Sequence, residues 1–170
     1  MDVFLIGMMG SGKTTTAREL AKLTGFQAKD LDALIVERAG KTINEIFSED
    51  GEAAFRELEK EVLKDTVASN QKTGSIFGTS GGIVLAHENI RLMRDNGALV
   101  YLKTSFPVLW ERVKNSKDRP LLRAGDPQAA LRAIFMERTP LYESAAGHSV
   151  VTDYKTPREV AREIYEKFLK

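Results

Sequence analysis

The chain has 170 residues, of which 42% are hydrophobic and 29% are charged, and its formal net charge is +1. These values predict one globular domain, and the balanced charge gives no case for binding to nucleic acid or to an anionic membrane. The absence of cysteine excludes disulfides, thiolate metal sites and a cysteine nucleophile. Apolar runs stay well short of the roughly 20 residues that span a membrane, and the first predicted strand begins too close to Met1 for a signal peptide, so a cytoplasmic location is expected.

The first predicted elements are a strand, a glycine-rich loop and a helix. Residues 3–6 form a short apolar run, residues 7–14 read Gly-Met-Met-Gly-Ser-Gly-Lys-Thr, and residues 14–23 have a helical pattern. The loop matches the phosphate-binding pattern G-x-x-x-x-G-K-[ST] at every fixed position, in the context that this pattern requires. In such a loop backbone N–H groups surround a polyphosphate, Lys13 reaches the β- and γ-phosphates, and the Thr14 hydroxyl binds Mg²⁺. The loop therefore predicts a nucleotide site.

Strands and helices alternate along the rest of the chain. Further strands are predicted at residues 26–29, 74–78, 98–102 and 149–152, and the strand at 98–102 is expected to follow a turn at Asn96-Gly97. Helices are predicted after Asp32 to Ala39, after Thr42 to Phe47, and at 52–69, 87–95, 106–114, 127–142 and from Pro157 onwards. The alternation predicts an α/β three-layer sandwich, in which a five-stranded parallel sheet is covered on both faces. Ligands of such sheets bind at the carboxyl ends of the strands, which brings together residues 7–14, 30–32, 79–82 and the loop after Leu102.

Two absences narrow the class of phosphate-loop protein. The chain has no N-K-x-D motif for reading guanine, which residues 115–118 only approach. Neither the third nor the fourth predicted strand ends in an aspartate that could support Mg²⁺ in the Walker-B manner. Asp30, after the second predicted strand, is the best substitute. We therefore favour a small-molecule kinase over a GTPase or a motor ATPase.

Six segments together resemble the shikimate kinase family, and the resemblance covers nearly the whole chain. They are residues 7–14, Asp30-Leu31-Asp32, residues 51–59 (GEAAFRELE), Ser80-Gly81-Gly82, residues 118–122 (DRPLL) and residues 138–142 (RTPLY). The resemblance implies the P-loop NTPase fold of the nucleoside monophosphate kinase type. It implies a single kinase domain over 1–170, with a substrate-binding segment at 33–60 and a mobile lid at 115–126. The implied reaction transfers the ATP γ-phosphate to the 3-hydroxyl of shikimate, with Mg²⁺, on the route to aromatic amino acids.

The resemblance also implies roles for individual residues. Lys13 would contact the transferring phosphate, Asp32 would hold the shikimate hydroxyls and is the candidate proton acceptor, and Arg119 would close over the site with the lid. The implied ATP-binding residues are Gly10, Ser11, Gly12, Lys13, Thr14, Thr15, Arg112, Arg119 and Pro157. The implied shikimate-binding residues are Asp32, Arg56, Gly81, Gly82 and Arg138, the two arginines on its carboxylate. Thr14 would bind Mg²⁺ directly and Asp30 through water.

Some of these residues also have a plainer interpretation. Asp32 could only cap a helix, and Arg56, flanked by Glu52 and Lys60, could lie on a solvated, salt-bridged face. Ser80 replaces the first of three consecutive glycines in the family's loop, where its side chain could crowd the substrate ring or donate a hydrogen bond to it. Two other functions stay open, a kinase for another hydroxy-carboxylate such as gluconate and a non-catalytic nucleotide-binding regulator. A monomer is expected, because no heptad run is visible.

Overall fold

The computed structural model describes residues 1–69, 73–123 and 125–170, and within those ranges it contains five strands and eight α-helices. The strands are β1 (Asp2–Ile6), β2 (Gln27–Asp30), β3 (Ser75–Gly78), β4 (Gly97–Lys103) and β5 (His148–Val151). The helices are α1 (Lys13–Thr24), α2 (Leu31–Ala39), α3 (Ile43–Glu49), α4 (Gly51–Ala68), α5 (His87–Asn96), α6 (Phe106–Val113), α7 (Pro127–Ala145) and α8 (Pro157–Ile164). Two 3₁₀ turns, Ile83–Leu85 and Pro120–Leu122, and a π-helix, Tyr165–Leu169, complete the regular structure of these ranges. Residue 124, in the predicted loop 115–126, lies outside the described residues.

The five strands form one parallel sheet in the order β2-β3-β1-β4-β5. β1 lies at the centre, where Phe4 is paired with Phe77 of β3 on one side and with Leu99 of β4 on the other. The predicted five-stranded parallel sheet is therefore confirmed. Since all strands run in the same direction, their carboxyl ends lie along one edge of the sheet, and the loops that follow them share that edge.

Both faces of the sheet are covered by helices. Alternate side chains of β1 point to opposite faces, so that Val3 and Leu5 pack in the core beneath α1 and α8. Phe4 and Ile6 pack in the larger core, which α2 to α7 complete, and the Phe4 ring stacks on Phe77 with 4.7 Å between ring centroids. A central strand that is buried on both faces explains the continuous apolar run at residues 3–6, and the predicted three layers are confirmed.

Two local predictions were wrong. Asp30, rather than Asp32, caps α2, because its Oδ1 accepts a hydrogen bond of 3.2 Å from the backbone N–H of Ala33. No turn forms at Asn96-Gly97, since α5 ends at Asn96 and β4 begins at the next residue. At Gly97 a Cβ atom would lie 2.1 Å from the Asp2 carbonyl oxygen, so glycine serves there to let β1 approach β4 closely.

Candidate active site

The phosphate loop joins β1 to α1 and turns its backbone around the start of the helix. Gly7, Gly10 and Gly12 have φ angles of 151°, 79° and 88°, which other residues rarely adopt. The Lys13 ammonium lies inside the loop, where its Nζ donates to the carbonyl oxygens of Gly7, over 2.8 Å, and Met8, over 2.9 Å. The structure therefore has the glycine geometry that the motif predicts, with the lysine at its centre.

Burial changes the acid–base behaviour of Lys13. The pKa of its ammonium is lowered from 10.5 to about 8, chiefly by loss of solvent, with smaller contributions from the charges of Arg119 and Arg138, while Asp32 and Asp30 oppose the shift. An ammonium with a lowered pKa is stabilised by any anion that binds beside it. The loop is thus suited to a ligand with several negative charges.

The two predicted metal ligands lie side by side. Thr14, the second residue of α1, donates from its hydroxyl to Oδ2 of Asp30, the last residue of β2, over 3.0 Å. The other oxygen of the Asp30 carboxylate caps α2. Two oxygen atoms, the ligand type that Mg²⁺ prefers, therefore lie together next to the phosphate loop.

A first cleft lies beside the phosphate loop. It is lined by Gly10, Ser11, Gly12, Thr15, Thr16, Arg112, Thr152, Lys155, Pro157 and Val160. Arg112 and Pro157 thus line the same cleft as residues of the loop, and Arg112 Nη1 donates to the Gly10 carbonyl oxygen over 3.0 Å. Arg119, also assigned to ATP, lines a second cleft instead. The sequence reading missed Thr152 and Lys155, although their position directly after β5 is at the ligand-binding edge.

The second cleft contains every predicted substrate-binding residue. It is lined by Met9, Asp32, Ile43, Phe47, Phe55, Arg56, Ser80, Gly81, Gly82, Asp118, Arg119, Pro120, Leu121 and Arg138. Two carboxylates, those of Asp32 and Asp118, and three guanidinium groups thus line a cleft whose other walls are largely apolar. This composition fits a small ligand that is anionic and hydroxylated.

Four unsatisfied polar atoms belong to this second cleft. In the part of the chain that the structure describes, six buried side-chain nitrogen or oxygen atoms have no hydrogen-bond partner. Four of these are Asp32 Oδ1 and the Nε atoms of Arg56, Arg119 and Arg138. Buried polar groups are nearly always hydrogen-bonded in proteins, so such a concentration indicates a place where a polar ligand binds.

Asp32 is not a helix cap but a carboxylate that faces the cleft from the first turn of α2. Burial raises its pKa above the ordinary value of 3.8, the Lys13 charge opposes this rise, and the nearby Asp30 carboxylate adds to it. A carboxylate with a raised pKa is a stronger base than one in water. Asp32 can therefore accept a proton from a hydroxyl group in the cleft.

The plainer interpretation of Arg56 holds only in part. Its Nη2 does pair with Glu52, over 3.3 Å, but its Nη1 pairs with Glu59, over 3.0 Å. Lys60 turns away and pairs with Glu88 of α5. The Arg56 side chain is only 21% exposed, so its ion pairs hold it at the wall of the cleft and not on a solvated face.

Comparisons with known proteins agree with this geometry. The family model described as shikimate kinase matches residues 9–169. A shikimate kinase from Actinobacillus pleuropneumoniae is 39% identical over 165 residues, which cover 97% of this chain and 94% of that protein. One from Nostoc punctiforme is 39% identical over 166 residues, 98% of this chain and 90% of that protein. The structure of shikimate kinase from Acinetobacter baumannii in complex with shikimate matches with a TM-score of 0.91 and 34% identity, over 99% of this chain and 95% of that one.

The chain belongs to the shikimate kinase family. Membership confirms the predicted class, an ATP-dependent kinase, and the P-loop kinase type of fold. It favours shikimate kinase over the two functions that the sequence left open, a gluconate kinase and a non-catalytic regulator. Among the described residues, none of the helices has the length and apolar composition needed to cross a bilayer.

The loop Ser80-Gly81-Gly82, which the resemblance assigns to substrate binding and which is called the substrate loop below, departs from the family's three consecutive glycines at its first position. A Cβ atom at Gly82 would lie 2.4 Å from both Nη atoms of Arg56, and one at Gly81 would lie 3.5 Å from Nη1 of Arg138. Ser80 is buried, and its hydroxyl donates to Oε2 of Glu59. The contact with Glu59 therefore accounts for a serine at position 80. Neither role suggested by the sequence, crowding the substrate ring or donating a hydrogen bond to the substrate, is needed.

Two buried residues behind the cleft were missed by the sequence reading. Glu59 supports Arg56 from the next turn of α4, and its spacing of three residues from Arg56 was the available signal. Tyr142 of α7 donates from its hydroxyl to the Gly81 carbonyl oxygen and contacts Met8 Sδ at 3.8 Å. Burial raises the pKa of the Tyr142 hydroxyl, which stays a donor. Tyr142 thereby connects the substrate loop to the phosphate loop.

Proposed function

We propose that the chain transfers the γ-phosphate of ATP to the 3-hydroxyl of shikimate, giving shikimate 3-phosphate. The observation that carries the proposal is the group of unsatisfied atoms in the second cleft, a carboxylate oxygen of Asp32 and one nitrogen each of Arg56, Arg119 and Arg138. Shikimate offers hydroxyl groups to the carboxylate and a carboxylate to the arginines. Residues of the phosphate loop line both clefts, Gly10 to Gly12 the first and Met9 the second, so a phosphate held on the loop would lie between donor and acceptor.

ATP would occupy the first cleft, with its phosphates on the loop. The backbone of Gly10, Ser11 and Gly12 and the N-terminus of α1 supply N–H groups and positive potential. Lys13 would exchange its loop carbonyls for phosphate oxygens, which favour its charged form. Thr15, Arg112 and Pro157 line the same cleft. Arg112 and Pro157 would contact the adenine end of the nucleotide, as the family resemblance implies.

Thr14 and Asp30 would hold Mg²⁺, the first directly and the second through water. The residues fit this ion, because a hydroxyl and a carboxylate are hard oxygen donors and their oxygens lie 3.0 Å apart. When bound, Mg²⁺ would neutralise charge on the β- and γ-phosphates. Asp30 also fixes the start of α2, so it would place the ion and the acceptor residue Asp32 relative to each other.

In the second cleft Arg56 and Arg138 would bind the carboxylate of shikimate, and Gly81 and Gly82 would form the floor. Guanidinium groups suit a carboxylate because they can donate two parallel hydrogen bonds. Asp32 would accept hydrogen bonds from the hydroxyls and take the proton of the 3-hydroxyl as it attacks. Phosphoryl transfer has a loose transition state, so positioning and charge stabilisation account for most of the catalysis.

Two segments would move or adapt around the substrate. Residues 33–60, which carry Ile43, Phe47, Phe55 and Arg56, would form the substrate-binding segment. Residues 115–126 would form a lid that brings Arg119 over the phosphates and excludes water, which otherwise would hydrolyse ATP. We propose a single-domain, cytoplasmic monomer with no nucleic-acid or membrane partner.

The test is coupled ADP release with Mg-ATP and shikimate, gluconate or no acceptor. Shikimate-dependent turnover well above the blank is expected, with Lys13→Ala as an inactive control. Turnover with gluconate but not with shikimate would overturn the assignment of shikimate as the phosphate acceptor. If ATP binds but neither acceptor is phosphorylated, the proposed kinase activity would be wrong. That result would favour a non-catalytic nucleotide-binding regulator.

A further inference from the structure

Behind the wall of the second cleft, three side chains form a buried chain of hydrogen bonds. Glu59 is 1% exposed, and its Oε2 accepts from the Arg56 guanidinium, over 3.0 Å, and from the Ser80 hydroxyl. The second guanidinium nitrogen of Arg56 pairs with Glu52, which is 48% exposed. The arginine therefore has one buried and one solvated partner, and only the buried one is itself held by a residue of the substrate loop.

We propose that Ser80 is a positioning residue for shikimate binding, which acts on Arg56 through Glu59. This inference rests on the proposed function, since it assigns Arg56 to the substrate carboxylate. The Ser80 hydroxyl fixes Oε2 of Glu59, and the fixed carboxylate holds the guanidinium against the floor of the cleft. A loop with glycine at this position has no side-chain donor for Glu59.

The close packing of the loop restricts this device to position 80. The Arg56 guanidinium lies directly on Gly82, where a Cβ atom would be 2.4 Å from Nη1 and Nη2. At Gly81 a Cβ atom would be 3.4 Å from the backbone nitrogen of Met9 and 3.5 Å from Arg138 Nη1. At position 80 the side chain instead reaches Glu59 of α4, whose Oε2 it shares with Arg56 Nη1.

The hydroxyl also affects the ionisation of Glu59. Burial raises the pKa of this carboxyl, the charge of Arg56 and the hydrogen bond from Ser80 lower it, and the Asp32 carboxylate across the cleft raises it. Arg138 of α7 also faces the cleft. Without the hydroxyl, Glu59 would take up a proton at higher pH, and its neutral form would release the guanidinium towards Glu52.

The experiment compares Ser80→Ala, Ser80→Gly and the hydroxyl-retaining Ser80→Thr with the wild type. Shikimate affinity is measured by calorimetry as a function of pH, and the Glu59 carboxyl is titrated by ¹³C NMR without any ligand. We expect Ala and Gly to weaken binding about three- to tenfold, less than the full loss of a hydrogen bond to a charge, because the effect is indirect. In both variants Glu59 should titrate at higher pH than in the wild type, and the loss of shikimate affinity on acidification should also begin at higher pH. The threonine variant should keep the Glu59 titration and the pH dependence of shikimate affinity near those of the wild type.

The same serine change in a Glu59→Gln background is the decisive control. There the hydroxyl has no ionisable partner, so Ser80→Ala should change shikimate affinity less than about twofold. Equal weakening in both backgrounds, or a Glu59 titration that does not move in Ser80→Ala and Ser80→Gly, would overturn the inference. A moved titration in a protein that fails to bind shikimate would instead retain the Ser80–Glu59 coupling and overturn the proposed function.

Discussion

Thr14 and Asp30 are joined by a hydrogen bond of 3.0 Å between the threonine hydroxyl and Oδ2 of the carboxylate. The Oδ1 atom of the same carboxylate caps α2 at Ala33, over 3.2 Å. One side chain at the end of β2 thus orients the starts of two helices, of which α1 follows the phosphate loop and α2 carries Asp32. The proposed metal site and the proposed acceptor site therefore depend on a common group.

Substitutions at Asp30 should separate these two roles. Asp30→Ala removes both oxygens, so it should lower the stability by about 1 kcal/mol, the usual effect of losing a cap, and raise the Mg²⁺ concentration needed for turnover. Asp30→Asn keeps an oxygen that can cap the helix but loses the charge, so it should raise the Mg²⁺ requirement with little loss of stability. Thermal unfolding and Mg²⁺ titrations of ADP release measure the two effects. An asparagine variant as unstable as the alanine variant would contradict the capping role.

The two loop glycines offer a matched pair of substitutions. Gly82→Ala places a methyl group 2.4 Å from both Nη atoms of Arg56, so the guanidinium has to move. We expect shikimate affinity to fall at least tenfold, since disturbing one partner of a buried charge pair typically costs about 2–5 kcal/mol. Gly81→Ala makes contacts of 3.4 and 3.5 Å, which small shifts relieve, so its loss of affinity should be clearly smaller. Calorimetric binding of shikimate to both variants checks the order, and the reverse order would refute this account.

The sheet and the phosphate loop were predictable because their signals are local. A continuous apolar run indicates a strand buried on both faces, and the motif at residues 7–14 fixes the loop and the start of α1. The choice between Asp30 and Asp32 as the cap was not predictable in this way, since both residue types cap helices well. It depends on where β2 ends, which its pairing with β3 up to Gly78 decides.

The buried network around Arg56 could not be read from the sequence. Helical spacing gives Arg56 three charged neighbours, Glu52, Glu59 and Lys60, without saying which of them is buried. Packing against the substrate loop makes that selection, because Ser80 lies 21 positions from Glu59 in the chain but donates directly to it. Contacts between residues so distant in sequence follow from the tertiary fold and leave no periodic signal.

The lowered pKa of Lys13, about 8, predicts how ATP binding depends on pH. The charged ammonium attracts phosphates, so the affinity for Mg-ATP should be constant below that pKa and decrease as the pH rises through about 8. Bound phosphate favours the charged form, so the complex should lose its proton only at higher pH. Fluorescence titration with a labelled ATP analogue follows this change. Lys13→Ala should bind the ATP analogue weakly, and its affinity should not change with pH in this range. If the pH dependence persists in the variant, a group other than Lys13 causes it.

The raised pKa of Asp32 predicts the acid side of the turnover profile. Because burial raises it above 3.8, the carboxylate becomes protonated, and unable to accept the hydroxyl proton, at a higher pH than an exposed aspartate. The kcat should therefore fall as the pH decreases through this raised value. Asp32→Asn should lower kcat about 10²- to 10⁴-fold, the usual contribution of a general base, and should affect shikimate affinity less, since the amide still binds hydroxyls.

Glu59→Gln is the control for Asp32, because its carboxyl is also buried and its pKa is also raised by burial. Glu59 contacts Arg56 and Ser80 rather than the reacting hydroxyl, so its substitution should weaken shikimate binding but leave the acid limb of kcat in place. Steady-state ADP release at saturating shikimate, measured across the acid range, separates the two residues. The opposite result would be a kcat that no longer falls at low pH in Glu59→Gln but still falls in Asp32→Asn. It would assign the control of turnover to the ionisation of Glu59 instead of Asp32.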